Sequence, residues 1–391
     1  MLLSISLIIF TSLILSFVSK KMKLPSLIGM LLAGILLGPF VLDVIHVSIL
    51  DQASDLRQIA LVVILIRAGL SLDLTDIKKI GRPAIFLSFV PALFEIIAIT
   101  IFAPMLFDIS YLDAAILGSI VAAVSPAVIV PRMIALIHQM KYHEKKVPHM
   151  ILAGASLDDV VVIVIFSALI QIKQGADVSF STILFVPVSI VLGALLGTVL
   201  GVFFVWFFKK FHMRDTVKVL IIFSTGFLCI VLENLFTQDF KVSGLVAIMA
   251  LGITLLTKYP ILAKRLVGKF EKIWVIAEIM LFVLVGAVLN LTVAIEAGLL
   301  AVVLISLGLL FRMIGVLMSL IKTRLNRKEK AFVCISYIPK ATVQAAIGSI
   351  PLSLGLLSGQ LILSIAIIAI IVTAPLGAFM IDFFKNRLLS H

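Results

Sequence analysis

The sequence predicts an all-α polytopic membrane protein with thirteen transmembrane helices, arranged as inverted-topology repeats with two broken helices that cross. Composition, the spacing of apolar runs and the placement of basic residues together predict it. Hydrophobic residues make up 62% of the 391 and charged residues 13%, at a mean hydropathy of +1.28, against roughly 45–50% apolar and about 25% charged in soluble domains. Apolar stretches of about 17 to 25 residues recur along the whole chain, the helical way of satisfying backbone polar groups in lipid rather than the alternation of a barrel. No soluble domain has room between them. Cys229 and Cys334 lie in apolar runs without metal-ligand spacing and read as packing residues.

The apolar runs place spans at 2–19, 25–42, 58–72, 83–106, 114–135, 147–172, 181–208, 217–236, 242–257, 273–289, 297–321, 331–352 and 360–383. The first has no basic residue ahead of it and Lys20, Lys21 and Lys23 after it, the pattern of a reverse anchor with its N-terminus outside. With thirteen spans, the odd-numbered connections and the C-terminal tail hold 25 of the 32 Lys and Arg. The even-numbered ones hold only Arg57, Lys173 and Lys241, while Arg67, Arg132, Arg312 and Lys340 fall inside spans. That asymmetry puts the C-terminus in the cytoplasm. The net charge of +12 therefore reports topology and contact with anionic lipid, and nucleic acid is not a partner.

Spans five and twelve are interrupted in matching ways, by Ser125-Pro126 (with Pro131 further on) and by Pro339-Lys340. Proline removes a backbone donor and drives the residue before it out of helical conformation. Seven spans apart, the two cross the membrane in opposite directions, as equivalent helices of an inverted repeat must.

Charge at membrane depth marks the site. Leu152 to Phe166 is apolar but for Ser156 and the adjacent Asp158 and Asp159, and ionisable groups in hydrocarbon are expensive enough to imply an ion or proton route. At 1.5 Å per residue, Asp159 and Glu95 lie about 18 Å into their spans and Arg312 about 15 Å, all near the middle of the layer, with Lys340 at the same level. An arginine that cannot deprotonate wants a standing partner, so Glu95 and Arg312 are expected as a bidentate ion pair. Lys340 is expected to offset converging C-terminal half-dipoles at the second break, and Ser125 to face the exposed amides at the first. Asp158 and Asp159 point about 100° apart around their helix, so one can face the crossing and the other an aqueous funnel. Poorly solvated carboxylates hold either a proton or a hard cation, and their alternate exposure to the two sides is antiport. An intramembrane aspartyl protease is the enzyme alternative, but adjacent residues do not form a facing dyad. Arg67 reads as a snorkelling residue, Glu278 and Glu233 as weaker funnel candidates, and His143 and His149 as loop histidines open to a pH-sensing role.

These residues resemble the sodium(lithium)/proton antiporters of the cation:proton antiporter superfamily, two-aspartate type. The resemblance covers essentially the whole chain. It rests on Leu24-Pro25 with Gly34-Ile35-Leu36-Leu37-Gly38-Pro39, on Arg67-Ala68-Gly69-Leu70, on Ser125-Pro126-Ala127-Val128-Ile129-Val130-Pro131, on Gly154-Ala155-Ser156-Leu157-Asp158-Asp159, and on Pro339-Lys340-Ala341-Thr342-Val343-Gln344-Ala345-Ala346. It implies a homodimer of thirteen-helix protomers, each with a scaffold domain and a six-helix core that moves like an elevator. Asp159 would be the principal cation and proton carrier, with Asp158 beside it. Well-known electrogenic members carry a lysine where this chain has Arg312, which resembles the arginine of the branch nearest the animal members. Ser125 stands where some relatives have an acid.

The function expected is exchange of Na⁺ or Li⁺ for H⁺ by alternating access, electroneutral, with the cation held by Asp158, Asp159 and Ser125. A K⁺/H⁺ exchanger is the near alternative, and a passive channel or sensor on the same helices the more distant one. Neither catalysis nor a cofactor is called for, and the partners expected are a monovalent cation, a proton, lipid and a second copy of the chain. Core helices are expected within 83–172 and 297–383, scaffold helices within 2–72 and 181–289, in a bacterial inner membrane.

Overall fold

The computed structural model describes residues 1–71, 81–138, 147–174, 180–235 and 242–389. Lys241, His143 and most of the basic loop around it, and His391 lie outside the described residues. All regular secondary structure among the described residues is helical, without a strand. In order, the helices are α1 (Leu2–Lys21), α2 (Ser26–Leu37), α3 (Val47–Asp51), α4 (Ala53–Ser71), α5 (Arg82–Leu87), α6 (Val90–Phe107), α7 (Tyr111–Ala122), α8 (Pro126–His138) and α9 (Val147–Gln174). They continue as α10 (Phe180–Lys210), α11 (Asp215–Leu235), α12 (Gly244–Lys258), α13 (Pro260–Ala287), α14 (Leu291–Ser319), α15 (Arg327–Ser336), α16 (Thr342–Ile347), α17 (Ile350–Ser353) and α18 (Gly359–Leu389). Among the described residues eight stretches are long and apolar enough to cross a membrane, counting α5 with α6 and α7 with α8, and α2 and α12 are shorter apolar helices.

The chain forms two compact units. The first holds Met1–Arg57, Thr75–Val162 and Ile279–His391; the second holds Gln58–Leu74 and Ile163–Glu278. In the first, α6 runs along both α7 and α14, and α18 packs against α14 and α15. In the second, α10 runs along α12.

Both proline-marked spans are broken. Helix α7 stops at Ala122, residues 123–125 are non-helical, and α8 starts at Pro126, where a missing N–H and a fixed φ cost a helix nothing. Helix α15 stops at Ser336 and α16 starts at Thr342, with Tyr337 to Ala341 between them. The start of α15 is fixed by a reciprocal capping box: Glu329 N donates to Asn326 Oδ1 at 2.8 Å and Asn326 N to Glu329 Oε2 at 2.8 Å. The breaks touch directly, Ser125 N donating to Pro339 O at 2.8 Å.

Two boundaries differ from expectation. The span expected from 273 begins as a helix at Pro260, because the charged stretch before it is built of good helix formers with Leu262, Ala263, Leu266 and Phe270 spaced along one buried face. The span expected over 83–106 is interrupted at Ser88 and Phe89, before Pro91.

Candidate functional site

Both breaks and five charged side chains meet in the first unit. Asp158, on α9, is wholly buried; its Oδ2 accepts the Val124 N–H at 2.8 Å and Arg312 Nη2 at 3.1 Å, and its Oδ1 accepts the same Nη2 at 3.3 Å. The break thus gives Asp158 a backbone amide freed by the end of α7, at the positive end of α8. Arg312, on α14, is equally buried. Its Nη1 donates to Glu95 Oε2 at 2.9 Å and to the Ala122 carbonyl. The guanidinium is therefore divided between Glu95 and Asp158, and a bidentate pair with Glu95 does not form.

Lys340 is buried too, and its Nζ donates to the same Glu95 Oε2 at 2.8 Å. Its backbone N–H donates to Thr373 Oγ1 at 3.0 Å. Lys340 thus goes to an acid rather than to the half-dipole of its own break, and the carbonyls that end α7 at the first break are met by other groups. Gln344 Nε2 lies within bonding distance of the carbonyls of Ile120 (3.0 Å), Val121 (3.2 Å) and Ala123 (2.8 Å), and Arg312 takes that of Ala122. The lysine goes to the acid because two charges attract more strongly in a dry interior than a charge and a partial charge. Gly377 keeps α18 close to this break: a Cβ there would lie 2.7 Å from Pro339 Cδ.

Asp159 stands apart. It is 7% exposed, and its Oδ1 is buried without a hydrogen-bond partner among the described residues. The Ser125 hydroxyl, Glu95 Oε1 and Gln344 Oε1 are also buried and unpartnered there. The arrangement is a tetrad of two acids and two bases with one acid outside it. Formally the tetrad sums to zero, and Asp159 is the carboxylate left over. Hard oxygen donors of this kind suit a proton or an alkali cation.

Sequence reasoning named all five charges and both prolines. It missed Gln344 and the Val124 amide, although Gln344 is the one amide side chain inside the Thr342–Ile347 half-helix. Of the other candidates, Arg67 is 5.8 Å from the Trp274 ring, and Glu233 accepts the Gly244 N–H at 2.9 Å and Gln171 Nε2 at 3.4 Å, contacts within the second unit.

Buried paired charges beside an uncommitted carboxylate, where two broken apolar helices cross, define an ion carrier of the membrane. The chain belongs to the sodium/hydrogen exchanger family, whose transmembrane model matches residues 6–386. It is an integral membrane protein of a family of antiporters, not enzymes. It is 32% identical over 385 residues to human sodium/hydrogen exchanger 9B2, with 94% of this chain and 70% of that protein covered. To human sodium/hydrogen exchanger 9B1 it is 29% identical over 384 residues, covering 94% and 73%. The fold is similar to that of the sodium proton antiporter MjNhaP1 from Methanocaldococcus jannaschii at pH 8, with a TM-score of 0.82 at 19% identity over 99% of this chain and 98% of that one.

Proposed function

We propose that the chain exchanges Na⁺ or Li⁺ for H⁺ across its membrane by alternating access, cation and proton competing for Asp159. The observation that carries this is the buried, unpartnered Asp159 Oδ1 beside a tetrad whose charges are already matched. Asp158 and the Ser125 hydroxyl complete the cation site, with no cofactor. Because a guanidinium keeps its proton, Arg312 drops out of the proton count, and Lys340 is held by Glu95. One carboxylate then trades one proton for one cation, and the exchange is electroneutral.

The thirteen-span reading is supported by adding α2, α4, α12, α13 and the broken α15–α17 to the eight longer spans. An outside N-terminus and cytoplasmic C-terminus follow from the basic connections. The inverted repeat, the division into a moving core and a scaffold, and the homodimer complete the proposal, as does a bacterial inner membrane, although the curated relatives are animal proteins.

Proteoliposomes with an entrapped pH dye test the exchange, with Na⁺, Li⁺ and K⁺ added in turn. Na⁺ and Li⁺ should move protons and K⁺ should not; Asp159→Asn should insert normally and move none. Full exchange by Asp159→Asn would remove the proposal, and a response to K⁺ alone would make the chain a K⁺/H⁺ exchanger. Under an imposed valinomycin potential the wild-type equilibrium pH change should not move with voltage; a voltage-dependent one overturns electroneutrality.

A further inference from the structure

Tyr337, the first residue of the second break, lies outside the roles given so far. Its side chain is wholly buried and its hydroxyl has no hydrogen-bond partner among the described residues. Its ring carries the Arg312 guanidinium, 5.4 Å from the centroid, within cation–π range. The hydroxyl reaches across to α9, where a side chain at Gly154 would collide with it; a Cβ there would also lie 2.9 Å from Leu87 Cβ. Gly154 is one helical turn before Asp158 on the same face, about 6 Å along the axis. The buried cluster that Tyr337 belongs to is otherwise apolar, with Leu87, Met150, Ile151, Ala155 and Val316; the charge on its ring is that of Arg312, and Asp158 stands one turn along α9 from the Gly154 that its hydroxyl meets.

A buried phenol hydroxyl without a partner is a net cost that phenylalanine would not incur. Packing alone therefore does not account for tyrosine. The asymmetry at Asp158 does: Oδ2 holds two short bonds, whereas Oδ1 has only the 3.3 Å contact with Arg312 Nη2. A cation at Asp159 would repel the Arg312 guanidinium, and the weaker Oδ1 contact would yield first.

We propose that Tyr337 is a positioning residue for ion exchange, its ring seating Arg312 and its hydroxyl supplying the donor that Asp158 Oδ1 takes up when a cation loads. The inference rests on the exchange reading above. Gly154 is the clearance that lets the hydroxyl stand one turn from its acceptor.

The test is Tyr337→Phe in proteoliposomes with Na⁺, alongside wild type and Gly154→Ala. Removing only the hydroxyl should leave the melting temperature in detergent equal to or above wild type. The apparent KM for Na⁺ should rise about five- to tenfold with kcat within about twofold, a split that separates cation loading from turnover. Gly154→Ala should raise KM in the same direction, and the double variant should be no worse than the worse single one, as expected of two changes acting through one hydroxyl. A Tyr337→Phe protein with wild-type KM overturns the proposal. So does one that loses melting temperature and rate together at unchanged KM, which marks a packing residue. A wild-type protein that moves no protons on adding Na⁺ or Li⁺ instead removes the exchange reading, so the two failures are distinguishable.

Discussion

The two breaks solve one problem with opposite means. At the first, residues 123–125 carry no charge, and the backbone itself serves the site: the Val124 N–H goes to Asp158 and the Ser125 N–H to Pro339 O. At the second, Lys340 brings a full charge and spends it on Glu95. Gln344, five residues from Pro339, then reaches back to cap the carbonyls of the first. The first break offers Asp158 a backbone amide alone, and the counter-charge on that acid comes from Arg312 on α14. The second break brings the counter-charge to its acid with it. On the exchange proposed above, Asp158 and Asp159 lie on the working side of the crossing and Glu95 belongs to its frame.

The strongest way to break this comparison is to take the charge from the second break. Lys340→Ala leaves Glu95 with Arg312 alone, and cutting one partner from a buried ionic group typically costs about 3–5 kcal/mol. The melting temperature in detergent should fall by several degrees and exchange should fall with it, while Lys340→Arg should keep part of both. An alanine variant as stable and active as wild type would mean that Glu95 needs no frame.

Gln344→Leu comes next. It removes one amide and strands the carbonyls of Ile120, Val121 and Ala123 without their side-chain donor, at roughly 1–3 kcal/mol for unmet buried groups. Stability should drop by less than in Lys340→Ala. Since the end of α7 sets the Val124 N–H, the apparent KM for Na⁺ should also rise. Loss of stability at an unchanged KM would separate the cap from the site.

How much of this was legible in the sequence follows from what hydrocarbon makes rare. Asp158, Asp159, Glu95, Arg312 and Lys340 stood out because charge at membrane depth has few innocent explanations, and Pro126 and Pro339 marked the breaks because proline cannot sit quietly inside a helix. Pairing was hidden. Depth places Glu95, Arg312 and Lys340 at one level, but not the rotation that lets both bases share Glu95 Oε2. Gln344 and Tyr337 were hidden because an amide and a phenol are ordinary in apolar helices until their neighbours are known. The helical stretch from Pro260 was hidden because hydropathy reads its lysines as loop, whereas the spacing of Leu262, Leu266 and Phe270 follows the period of a helix.

The smallest expected effect sharpens the comparison most, and it concerns Ser125. Its backbone does the structural work of the first break, accepting from Val128 N and Ile129 N at 3.2 Å each and donating to Pro339 O. Its hydroxyl does none of this: it is buried and unpartnered among the described residues. Ser125→Ala keeps every one of those backbone bonds and deletes only the idle oxygen, so the melting temperature should stay within about a degree or rise slightly, because an unmet hydroxyl is a cost. If that oxygen coordinates the transported cation, the apparent KM for Na⁺ should rise about two- to fivefold, the worth of roughly one modest polar contact, with kcat little changed. Ser125→Asp goes the other way: it adds a third carboxylate to Asp158 and Asp159, so like-charge repulsion should make the site take up protons or cations at a lower concentration. An unchanged KM in Ser125→Ala would leave the first break as backbone alone and place the cation entirely on the two aspartates.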